Sequence, residues 1–206
     1  MKTSNLKMKG DWQEVIDDCR STVSKPPLGH EPSEKFKRSI LIAEHSPIRD
    51  ISFRWRWDGI KSWVATHFAR HHWECRISTQ RSDRTGVHRD KLPQDAPVTF
   101  VGEANAQALI DTMRKRLCFQ AAPETREYAE DLKLAITEVQ PEIGFVLTAN
   151  CCYRGACPEF HSCGYWDKLT ASCTKEQLLS IEERYKIFND DFNERCKKRE
   201  REKNEK

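Results

Sequence analysis

The segment from His67 to Arg89 gathers the histidines His67, His71 and His72, with His88 further on, five arginines (Arg70, Arg76, Arg81, Arg84, Arg89) and the hydroxyls of Ser78, Thr79 and Ser82. Guanidinium forks match the oxygens of a phosphate and hydroxyls add further donors, so this segment could grip a phosphate monoester or the phosphates of a larger cofactor. The competing reading is a solvated basic face, as most charged runs are. A second concentration of chemistry lies further on, where five of the nine cysteines fall between Cys151 and Cys173, with His161 among them. Four soft ligands within reach are enough for tetrahedral zinc or an iron–sulfur centre. The intervals are not the paired C-x-x-C of a zinc knuckle, so free thiols in a structural loop are the preferred reading.

These residues need elements to position them. Ser33 to Ala43 reads as a helix with Ser33 as N-cap, and His45-Ser46-Pro47 breaks it. In ISFRWRWDG the residues Ile51, Phe53, Trp55 and Trp57 alternate with polar ones, which predicts a half-buried strand ending at Gly59. From Ile60 to His72 the period becomes helical and places His67 and His71 on one stripe with Trp63, Val64 and Phe68. Trp73 to Gly102, with Gly86, Pro93 and Pro97, predicts a surface segment. Helices follow from Ala104 to about Phe119 and from Pro123 to Val139, the latter stopped by Pro141. Residues 11–24 read as a short helix or a strand-and-turn entry, and residues 150–166 as a Cys-rich loop. The layout is α+β: a helix-rich single domain over residues 1–174 with a small antiparallel sheet, then a charged helix with a frayed tail over 175–206.

The 206 residues suffice for one domain with a real core. Charged residues make up 33% and the net charge is +3, which is mixed rather than one-sided. That balance does not call for nucleic acid but suits a protein that holds small anions. No apolar run approaches the roughly 20 residues needed to span a bilayer, and Met1 to Gly10 lacks the apolar middle of a signal peptide. A cytoplasmic location is expected, where cysteines are thiols or metal ligands before they are disulfides.

The stretch His67 to Arg84 resembles the signature of the flavin-dependent thymidylate synthases (the ThyX type), R-H-R-x-x-S-x-N-E-x-S-x-R with a Gln usually three residues before it. Arg70-His71-His72 takes the place of R-H-R, and Gln80-Arg81-Ser82-Asp83-Arg84 the place of E-x-S-x-R. The interval is two residues longer here, His72 replaces an Arg, Thr79 an Asn and Gln80 the Glu, and His67 stands at the Gln. Downstream the chain is similar to the family in spacing: Arg89 before Leu92-Pro93, Asn105-Ala106-Gln107-Ala108-Leu109 thirteen residues after Leu92, and Arg116 eleven beyond Asn105. Ser46-Pro47 before the aromatic strand matches an upstream block, so the resemblance runs from about Glu44 to Arg126. The segment from Arg84 to Arg89 is shorter than the family's helical stretch there.

The resemblance implies an enzyme that converts dUMP to dTMP with bound FAD, NADPH as reductant and methylenetetrahydrofolate as one-carbon donor. It implies a homo-oligomer, a tetramer in the family, whose flavin sites are shared between subunits. Carried over position by position, Arg116 and Ser82 are the catalytic candidates. His67, Arg70, Gln80, Ser82, Asp83, Arg84, Arg89 and Arg116 are the substrate-binding ones. Ser46, Arg70, His71, His72, Gln80, Asn105, Ala106, Gln107 and Asp111 would meet the FAD. The substitutions at Gln80 and His67 leave open a related chemistry, flavin-dependent hydroxymethylation of dUMP or dCMP. From the cysteines alone, a zinc-stabilised nucleic-acid-binding module without catalysis is the reading of a different class.

Overall fold

The computed structural model describes residues 2–205. In chain order the elements are β1 (Thr3–Lys9), α1 (Trp12–Ser21), α2 (Glu34–Ile42), β2 (Ser52–Lys61), α3 (Ser62–Ala69), β3 (Glu74–Ile77) and α4 (Ser82–Thr85). There follow β4 (Pro97–Asn105), α5 (Ala106–Arg116), α6 (Pro123–Val139), α7 (Pro141–Val146), α8 (Asn150–Arg154), α9 (Tyr165–Thr170), α10 (Lys175–Leu179) and α11 (Ile181–Asn204). The strands form one antiparallel sheet in the order β1-β2-β4-β3. The α+β expectation with a small antiparallel sheet therefore holds.

The sheet is two-faced because β2 alternates. Phe53, Trp55 and Trp57 are fully buried, whereas Arg56 and Asp58 face outward and pair with each other. Aromatic side chains dominate the covered face: Trp57 lies against Phe68, Phe100 and Tyr128, and Trp73 against Trp55 and Phe68. Such ring pairs contribute about 0.5–1.5 kcal/mol each beyond their burial. Thr3 of β1 accepts a hydrogen bond from the Trp57 indole at 2.9 Å and so ties the edge strand into the core.

Trp55 fits only because of what stands opposite it. It pairs in register with Gly102 of β4, where an added Cβ would lie 2.4 Å from Trp55 Cζ2 and 2.9 Å from Phe100 Cε1. Neither ring can yield inside a packed core, so Gly102→Ala is expected to destabilise the protein by about 1–3 kcal/mol. Calorimetry should then show the melting midpoint lowered by roughly 5 °C. An unchanged midpoint would mean that the rings are not close-packed over the glycine.

Several expectations need correction. The stretch from Pro97 to Gly102 is not surface but part of β4, an inner strand whose buried side is Val98, Phe100, Gly102 and Ala104. Its small residues and flanking prolines hide the alternation, and Pro97 is tolerated because it is the first strand residue. Trp73 is buried, and Glu74–Ile77 pairs with β4. The N-terminal lysine-rich run is a strand, β1. Gly59, at φ +69°, does not end β2 but marks an irregular register between Trp57 and Ile60. Ala104 and Asn105 belong to β4, so α5 begins two residues later than expected. Pro141 ends α6 and also opens α7. Part of the Cys-rich stretch is helical, with Cys151 and Cys152 buried on α8.

The helix expected from Lys175 onward is divided at Ser180 into α10 and α11, whereas α2 and α6 form as expected. Ser33 caps α2 by accepting from the Phe36 N–H at 3.3 Å, and α6 runs over the predicted span. α11 is charged on its exposed side, yet Tyr185, Phe188 and Phe192 are buried in the same core as the sheet aromatics. No helix among the described residues is long and apolar enough to cross a membrane.

Candidate functional site

The junction between β4 and α5 has no connecting loop. Asn105 is both the last residue of β4 and the N-cap of α5, its side-chain oxygen accepting from the Ala108 N–H at 2.9 Å. The Ala106 N–H donates to the Ile51 carbonyl at 2.9 Å, and Ala106 itself is fully buried. Three turns later the helix delivers Arg116.

Arg116 is locked from two sides. Its Nε donates to His71 Nε2 at 2.8 Å and its terminal nitrogen to the His67 carbonyl at 2.9 Å. His67 is in turn 2.9 Å, through Nδ1, from the Thr125 hydroxyl of α6. Arg116 therefore does not cap its own helix but reaches across to the end of α3. Burial, and then the positive charges of Arg116, Lys115 and His72, push His71 down to about 4. The imidazole is neutral at pH 7, and because Nε2 accepts, its proton is assigned to Nδ1, a donor left for another partner. Burial and the neighbouring Arg70 also lower the Arg116 pKa, but a guanidinium starts so high that it keeps its charge. The result is a half-buried, oriented cation.

A second group lies along another face of α5. Gln107 donates to Glu44 at 2.7 Å, while Arg114 pairs with Glu44 and with Asp111 and lies 3.5 Å from the Tyr153 ring centre. Glu44 adopts φ +52°, a left-handed conformation that is uncommon outside glycine, and these two partners hold it there. It leads into the 3-10 turn Ser46–Asp50, which packs on α5 and presents Ser46 at the surface. Gln107 and Asp111 are thus engaged within the chain.

The third group is the exposed loop between β3 and β4. Ser82 Oγ accepts from the Arg89 N–H at 3.2 Å, so these two predicted residues are neighbours. Asp83 is paired with Arg81, Gln80 is half-buried, and Arg84 is exposed. Among the described residues, no hydrogen bond or ion pair joins Arg89 to Arg116. Nor does any ion pair engage Arg70 or His72, both exposed beside His71 at the turn from α3 to β3. A cavity of about 230 Å³ lies at α6 and α11, lined by Lys2, Glu130 and Arg199 among others, and includes none of the predicted site residues.

Three contributors to these groups were not anticipated as functional: Thr125, Glu44 and Arg114. The Asp111–Arg114 spacing was the only local signal for any of them, since such pairs face each other on a helix. Among the described residues no three His, Cys, Asp or Glu side chains converge as a metal centre requires, and all nine cysteines are free.

The sheet order and the helices packed on one face define an α+β protein in which one long helix end presents an arginine beside two histidines. Among solved structures, this fold is similar to that of a UMP/dUMP methylase, PolB from Streptomyces cacaoi, bound with 5-Br dUMP. The match has a TM-score of 0.54 at 13% identity and covers 69% of this chain and 94% of that one. The same methylase bound with 5-Br UMP matches with a TM-score of 0.52 at 13% identity, over 69% and 93% of the two chains. No protein-family model and no curated protein matches the sequence.

Proposed function

We propose that the chain is a flavin-dependent enzyme acting on a pyrimidine nucleotide monophosphate, which methylates dUMP to dTMP using methylenetetrahydrofolate and NADPH. The observation that carries this reading is the Arg116 guanidinium, half-buried and oriented by His71 and His67 at the end of the helix that Asn105 opens. The family-like spacing from Ser46 to Arg116 and the fold shared with a UMP/dUMP methylase support it.

Arg116 stabilises the negative charge that develops on the pyrimidine ring when its C5 acts as a nucleophile. A fixed cation aimed at developing charge needs no reorganisation during the step. Neutral His71 keeps the guanidinium in place without competing for the charge. Arg89, Ser82 and Arg84 grip the nucleotide phosphate from the exposed loop, and Gln80 reads the base edge through its amide.

The residues near His71 fit a flavin dinucleotide: Arg70 is a cation with no carboxylate partner among the described residues, as a diphosphate requires, exposed His72 offers a further ring donor, and His71 keeps a free donor. FAD, when bound, supplies the hydride for reduction. By the resemblance, Ser46 and the start of α5 (Asn105, Ala106, Gln107), with Asp111 one turn further, would meet the flavin from a neighbouring copy of the chain. The loop and the helix end meet through neighbouring copies of the chain, so the active form is a homo-oligomer, a tetramer by the resemblance.

The test is product analysis with the purified protein, dUMP, methylenetetrahydrofolate and NADPH. A 5-methyl product, from a yellow protein that bleaches with NADPH, is expected. A 5-hydroxymethyl product, or none, would overturn methylation of dUMP. Arg89→Ala should raise KM for dUMP roughly 10- to 100-fold with a smaller change in kcat, as loss of a ground-state phosphate contact does. A fall in kcat alone would place Arg89 elsewhere in the cycle.

A further inference from the structure

Lys133 of α6 is 1% exposed and has no carboxylate partner among the described residues. Its ammonium donates to the Gly144 carbonyl at 2.5 Å and to Asn189 Oδ1 at 2.7 Å and lies 5.1 Å from the Phe192 ring centre, contacts that supply no countercharge. Asn189 cannot turn away, because its amide donates to the Phe145 and Tyr185 carbonyls at 2.9 and 2.7 Å. An isolated buried charge is among the least favourable things a fold can hold.

A cavity of about 170 Å³ borders this lysine, and its lining contains no aspartate or glutamate. The other cation in the wall is Arg38 of α2, whose guanidinium lies 5.2 Å from the Phe145 ring centre. Arg38 Nε is buried with no hydrogen-bond partner, and no side-chain bond or ion pair engages the rest of the group among the described residues. Glu34 and Glu182 line a second cavity that Arg38 also borders, without pairing to it. Glu142, buried on α7, lines neither cavity and pairs with neither cation.

Two cations, one fully buried, thus share a space that supplies donors but no anion. Phe145 and Phe192 give the same space an apolar side. We propose that this cavity is a binding site for a small organic carboxylate, with its oxygens between Arg38 and the Lys133 ammonium and its alkyl part against the two phenylalanine rings. A carboxylate bound there would restore the missing countercharge. The lowered proton affinity of Lys133, caused mainly by burial, is what the site shows without one.

Thermal unfolding of the full chain tests this, with sodium acetate, propionate or butyrate replacing sodium chloride at constant ionic strength. A saturable rise in midpoint is expected, roughly 5–10 °C at about a hundredfold over Kd. The rise should vanish in Lys133→Met and in Arg38→Gln. Arg38 is only partly buried, so its variant keeps the test decisive should the lysine variant not fold. No saturable rise with any of the three acids overturns the proposal. So does a full response in Arg38→Gln, or a rise with inorganic phosphate and none with the carboxylates.

Discussion

Arg116→Ala should lower kcat for dUMP by about 10²–10³-fold, the loss seen when one preorganised charge-stabilising donor is removed. Binding of the nucleotide should change far less, because the interaction is made with charge that exists only in the transition state. The side chain also has a structural part, since it satisfies His71 Nε2 and the His67 carbonyl. Both groups are only half-buried and can turn to water, so the stability loss should stay near 1 kcal/mol. Arg116→Lys keeps the charge but not the fork that reaches both partners, and it too should turn over slowly. Steady-state kinetics alongside a melting curve separates the two roles. Wild-type kcat in Arg116→Ala would remove the guanidinium from the mechanism.

The largest stability effect is expected at Lys133, in chloride buffers free of carboxylates. Burial lowers its pKa from 10.5 to about 7. Between those values the unfolded chain holds a proton that the native chain lacks, so stability must rise with pH across that window. The contribution is fully present above the unfolded value and is lost as pH falls toward 7. Integrated over the window it is on the order of 5 kcal/mol. Lys133→Met has no such proton to lose. Its stability relative to wild type should therefore be greatest near pH 7 and fall by about 1.4 kcal/mol per unit as pH rises. Urea unfolding of both proteins at pH 7, 8 and 9 reads this directly. A constant difference would mean that Lys133 titrates normally.

That lysine shows where pattern reading stops. In sequence it is one more polar residue on a predicted helix, and nothing local tells that position 133 faces inward, since lysine is almost never fully buried. The aromatic strand was legible because large residues alternate with charged ones. Its partner β4 was not, because the residue facing Trp55 is a glycine, and a missing side chain leaves no hydrophobic signal. The pairing makes Gly102 necessary, but pairing is a long-range fact.

The site divides in the same way. Asn105 and Arg116 were legible from their interval and His67 from the helical period, but α3 ends at Ala69 rather than His72 and leaves His71 in the bend beyond it. The bond from Arg116 to His71 was not legible, since it joins the end of α5 to the bend after α3, 45 residues apart. Thr125 came to the site only through the packing of α6 on α3, which no local pattern encodes. Glu44 lies next to a recognisable turn, yet its role depends on Arg114, 70 residues away.

The direct passage from β4 into α5 also sets where the chain can change length. Adding or deleting one residue at Asn105 would turn everything beyond it by about 100°, because a helix completes a turn in roughly 3.6 residues. Arg116 would swing out of reach of both histidines while the sheet stayed intact. The exposed stretch between β3 and β4 has no such lever on Arg116, so a change of length there would leave the geometry of the junction intact.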